Sequence, residues 1–229
     1  MKPLMIALLI AASTSQAASI DQIDAAANQM QLPQLTEYAK GSAVSYEQAY
    51  AQYRLAVISQ VAGQTEQFSA ALAQARQTLE QLPSEQPDAE NLALLSTVYG
   101  LSIGENPVIN GVKYGKKASD ALVQAEQLAP DNPRVQLVKA ISAYNTPALF
   151  GGSKTAAAEL AGKAITLFSA PCEQICWGQE EAYVWRGLAK MDLGDNKAAI
   201  ADWQQALQLN PQYGWARFLL EQQQRFSKN

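Results

Sequence analysis

"EEAYVWRGLAKMDLGDNKAAIADWQQALQLNPQYGWA", residues 180 to 216, carries two helical periods with one break between them. Apolar and small residues recur at three- and four-residue spacing, the repeat of a helix face. Leu193-Gly194-Asp195 interrupts the period and Pro211 stops it, so the stretch reads as two helices joined by a tight turn. Gly187 and Ala189 on the first helix, and Ala199 and Ala206 on the second, are small, whereas Trp203 is large. Small residues let two helices approach, and large ones fill the next groove.

The pattern recurs upstream. "KKASDALVQAEQLAPDNPRV" sets Ala118, Leu122, Ala125, Leu128 and Pro130 in the same register, and "TAAAELAGKAITLF" sets Ala157, Ala161, Ala164 and Leu167 there. In this register residues 180–216 resemble one unit of a tetratricopeptide repeat followed by the start of a capping helix. With "YGKKA", "NPR", "NTPALFGGSK" and "WGQEEA", the chain resembles a group of exported bacterial tetratricopeptide (TPR) proteins. The resemblance implies an all-α fold, a right-handed superhelix of antiparallel helix pairs, and leaves the activity open. It covers residues 88–216, with 45–83 a more divergent hairpin. Arg186 and Lys190 stand where the family prefers apolar residues. The three equivalent alanines, 118, 157 and 199, lie 39 and 42 residues apart, longer than the usual period of about 34. Insertions are therefore expected.

No stretch reads as a strand. Helices are expected near 20–31, 45–61, 64–82, 88–104, 115–128, 133–145, 153–168, 179–192, 195–208 and 212–226. The expected layout is a signal peptide over 1–17, a helical segment over 18–87, repeats over 88–216 and a cap over 212–229. The signal reading rests on Lys2, an apolar run from Leu4 to Ala12 and small residues at Ser15 and Ala17. Cleavage after Ala17 would send the protein to the periplasm, with secretion beyond the envelope as the other destination. No later segment reaches the ~20 apolar residues of a membrane helix.

With Lys2 removed, 16 basic face 21 acidic residues, a net charge of −5 that disfavours nucleic acid. The chain has no His, which removes the commonest general base and metal ligand, and two Cys cannot build a Cys-rich zinc site. No cofactor, metal site or catalytic residue is expected.

"NTPALFGGSK", residues 145–154, invites reading as a phosphate loop. The motif GxxxxGK[ST] must follow a strand. Here Ser153 precedes Lys154, Ala148 takes the first glycine's place, and the preceding segment is helical. The stretch reads instead as an enlarged turn. Pro147 ends one helix, Gly151 and Gly152 supply flexible or positive-φ backbone, and Ser153 caps the next helix. Leu149 and Phe150 are expected to fold back on the hairpin. "ENPVINGVKYGKKA", residues 105–118, reads as a second enlarged turn, with Lys113, Lys116 and Lys117 beside Tyr114. "SAPCEQICWGQ", 169–179, is a third insertion. Its Cys172 and Cys176 could form a local disulfide, remain free thiols or link two chains.

The function expected is a periplasmic scaffold that binds an envelope protein or peptide on the concave face. Arg134, Leu137, Ile141, Tyr144, Asn145, Glu181, Val184 and Leu188 would line that groove, with Phe150 on the turn. The alternative is a small-ligand binding protein accessory to an envelope uptake system, with a pocket of Trp177, Trp185 and Tyr183. An enzyme is disfavoured, since any catalytic carboxylate pair would lack a histidine.

Overall fold

A computed structural model describes residues 18–83, 88–172 and 174–226; the expected export segment, 1–17, lies outside them. Among the described residues the chain forms eleven α-helices: α1 Ile20–Asn28, α2 Leu32–Ala39, α3 Tyr46–Val61, α4 Thr65–Glu80, α5 Ala89–Glu105, α6 Pro107–Leu128, α7 Pro133–Asn145, α8 Lys154–Leu167, α9 Gln179–Asp192, α10 Asn196–Leu209 and α11 Gly214–Phe226. Helices α3–α4, α5–α6, α7–α8 and α9–α10 pair as hairpins, and α5, α7 and α9 pack successively beside one another. This is an all-α solenoid of helix pairs.

Side chains placed at the breaks start the helices. Ser45, Asp88, Asn106, Asn132, Ser153 and Asp195 each accept a hydrogen bond from a first-turn backbone N–H. Ser19 and Gln22 form a reciprocal capping box at α1.

Two expectations need correction here. The helix expected over 20–31 ends at Asn28, and Met30 takes a positive φ of 56°. Pro33 lies in the first turn of α2, where a missing N–H leaves no bond unmade, so a separate helix follows. The second concerns residues 105–118, which are not an extended turn. Only Asn106 separates α5 from α6, because Asn106 caps the new helix and Pro107 opens it.

In the last repeat Trp203 is fully buried and lies against Gly187, where a Cβ would come within 2.3 Å of the indole Nε1. Arg186 and Lys190 both reach the buried carboxylate of Asp202, at 2.6 and 2.8 Å, so polar residues at these two places bridge the hairpin. Ala157 and Ala199 are each the fourth residue after a cap and are buried. Ala118 is only half-buried, twelve residues after Asn106, because α6 begins about two turns earlier than its counterparts.

The largest apolar cluster joins α1–α4 to the inner faces of α5, α7 and α9. At its centre the insertion before α9 folds inward. Trp177 stacks on Tyr50 with ring centres 5.2 Å apart, and its indole N–H donates to the Tyr46 hydroxyl at 2.7 Å. Gly178 follows with φ 103°; a Cβ there would lie 2.8 Å from Leu137. A disulfide joins Cys172 and Cys176 across this loop.

Candidate functional site

The connection between α7 and α8 is a folded turn. Thr146 and Pro147 end α7, Ala148–Phe150 make one 3-10 turn, and Gly151 takes φ 91°. Gly152 presses against the end of α7: a Cβ there would sit 1.7 Å from the Thr146 carbonyl oxygen. Lys154 reaches back, donating to the Tyr144 carbonyl at 2.8 Å, lying over the Tyr144 ring, and pairing with Asp192 at 3.3 Å. Burial, with the nearby Asp192 carboxylate, pushes the Tyr144 hydroxyl up to about 12.

Leu149 and Phe150 do not fold back. They are 88% and 75% exposed. The 3-10 turn projects them outward while the two glycines hold the backbone against α7. On the neighbouring hairpin, Val108, Ile109 and Val112 are also exposed, on the first turns of α6. Both groups sit where the inner helix of a hairpin hands over to the outer one. Glu90 at the start of α5 meets Asn132 and Arg134 at the start of α7, so the two packed helices run the same way and their far ends, with both connections, lie on the same edge of the solenoid.

The expected groove residues are placed differently. Arg134 is buried, and its guanidinium forks onto the Glu90 carboxylate with both contacts at 2.6 Å. Leu137 and Val184 are fully buried in the packing. The Tyr144 ring packs edge-on against Trp185, which in turn meets Trp215. Asn145 is exposed and bonds back to the Ile141 carbonyl. Trp177, Trp185 and Tyr183 do not line one pocket: Trp177 is in the core, Trp185 is held between Tyr144 and Trp215, and Tyr183 lies beside Arg186.

Glu181 belongs to a polar centre that the sequence reading did not assemble. It faces Arg54 of α3 across 3.9 Å, with Asp24 of α1 on the other side of the guanidinium at 3.5 Å. Burial pushes the carboxyls of Asp24, Glu180 and Glu181 up; Arg54 opposes the shift without cancelling it. These residues wall a cavity of about 240 Å³ between α1, α3, the start of α9 and the segment before α11. Arg54, the single basic residue of the helix YEQAYAQYRLAVISQV, is the one local signal for it.

Neither a family model nor a curated protein matches the chain. Solved structures do share its fold. A thermophilic TPR protein from Thermus thermophilus is 19% identical with a TM-score of 0.54, over 89% of this chain and 91% of that one. The HusA haemophore from Porphyromonas gingivalis is 22% identical with a TM-score of 0.50, over 76% of this chain and 91% of that one. At these identities the likeness concerns the fold alone: this chain is a TPR-like helical solenoid.

Proposed function

We propose that the protein is an exported, non-catalytic scaffold of the bacterial periplasm that captures an envelope protein or peptide. The observation that carries this reading is that Leu149 and Phe150, and Val108, Ile109 and Val112, are exposed at the equivalent connections of two hairpins whose inner helices pack together. Exposed apolar side chains concentrated in one place mark interaction surfaces, while single scattered ones do not. The binding surface is thus this edge rather than the concave groove, whose side chains are engaged in packing between repeats. The test is cross-linking and pull-down from a periplasmic extract with the wild type and a Leu149→Asp/Phe150→Asp variant. The same protein partner should be captured by the wild type and lost by the variant, with melting unchanged. Equal capture by both would refute the edge.

A second reading, ligand binding for an envelope uptake system, is supported by the fold shared with a protein described as a haemophore. A small molecule co-purifying in place of a protein partner would favour it.

A further inference from the structure

Independently of the apolar edge, we propose that the cavity between α1, α3 and the start of α9 binds a small organic cation that also carries a carboxylate, the chemistry of a free basic amino acid.

Charge comes first. Asp21, Asp24, Glu180 and Glu181 line the cavity against a single base, Arg54, leaving a formal excess of three carboxylates. A cavity walled this way attracts a cation, and the rings of Tyr50 and Tyr213 beside it suit an ammonium or guanidinium. Asp21 stands exposed at the mouth, and the Glu180 side chain bonds only its own backbone. These two carboxylates are open to an incoming ammonium.

The second observation is Arg54 itself. It is 8% exposed, yet its Nε has no hydrogen-bond partner. The neighbouring carboxylates stay at 3.5 and 3.9 Å because each is held elsewhere. Asp24 Oδ1 accepts from the Tyr50 hydroxyl at 2.7 Å, and Glu181 Oε1 accepts from the Trp185 indole at 3.2 Å. A buried guanidinium with its Nε–H unfilled suits a planar, charged acceptor, which is what a carboxylate offers. The site therefore has an acceptor-seeking end at Arg54 and a cation-seeking end at Glu180 and Asp21. Its volume, below the roughly 300–1,000 Å³ of drug-sized sites, restricts the ligand to amino-acid dimensions.

The experiment is isothermal titration of the full chain with three probes. L-lysine has both groups, cadaverine lacks the carboxylate, and glutarate lacks the ammonium. Lysine should bind, cadaverine at least tenfold more weakly, and glutarate not at all. Glu180→Gln should weaken lysine at least tenfold while the protein remains folded by circular dichroism. Arg54→Lys should bring lysine down to the level of cadaverine. If Arg54→Lys does not fold, Glu180→Gln and the three probes decide the matter. No heat with lysine, unchanged lysine affinity in Glu180→Gln, or glutarate binding as tightly as lysine would overturn the proposal. So would cadaverine matching lysine, since Arg54 would then contribute nothing.

Discussion

The connections α5–α6 and α7–α8 occupy equivalent places in adjacent hairpins and look alike as sequence. Each contains a proline, two glycines and at least one lysine. One becomes two extra turns of helix after a single cap residue; the other becomes a compact turn with a left-handed glycine. The difference lies in what surrounds each proline. Asn106 precedes Pro107 and caps a helix that the proline can open. Thr146 precedes Pro147 in extended backbone, and Gly151-Gly152 then turns the chain back against α7. In α6, Gly111 and Gly115 have open space where a Cβ would go, so they are passengers in a helix. In the turn, both glycines are structural.

Substitutions should break that contrast in a graded order. Gly152→Ala drives a methyl into the Thr146 carbonyl and should cost about 3 kcal/mol, read as a lower midpoint in urea unfolding. Gly151→Ala meets no atom but must hold φ 91°, so a loss of about 1–2 kcal/mol is expected from the same titration. Lys154→Ala removes a hydrogen bond, a ring contact and an ion pair together, and should lower stability by about 1 kcal/mol. Lys116→Ala, whose pair with Asp120 lies on an exposed helix face, should change it by less than about 0.5 kcal/mol. Gly111→Ala and Gly115→Ala should each raise stability by about 0.5–1 kcal/mol in thermal melts, since alanine is the better helix former. A destabilised Gly111→Ala would mean that residues 107–113 are a turn after all.

The two connections also show how far local reading reaches. Ser153 as a cap and Pro147 as a stop follow from residue chemistry, and both are seen. The outward course of Leu149 and Phe150 does not follow from it. Apolar residues are expected inside, and only the fixed direction of the 3-10 turn places these two in solvent. Lys154 likewise reads as one more exposed charge until Asp192 of the next repeat comes within reach.

From the sequence alone came the helical solenoid, the pairing of helices, and most helix starts. These depend on periodicity, capping groups and breakers, all of which act within a few residues. The tertiary structure decided what the repeats do to one another. It set Trp177 on Tyr46, 131 residues away, buried Arg134 on Glu90, and enclosed Arg54 with carboxylates from α1 and α9. No local pattern encodes such meetings, because they depend on the angle and offset at which successive hairpins stack. Those are set by the summed packing of small and large side chains across every interface rather than by any one residue.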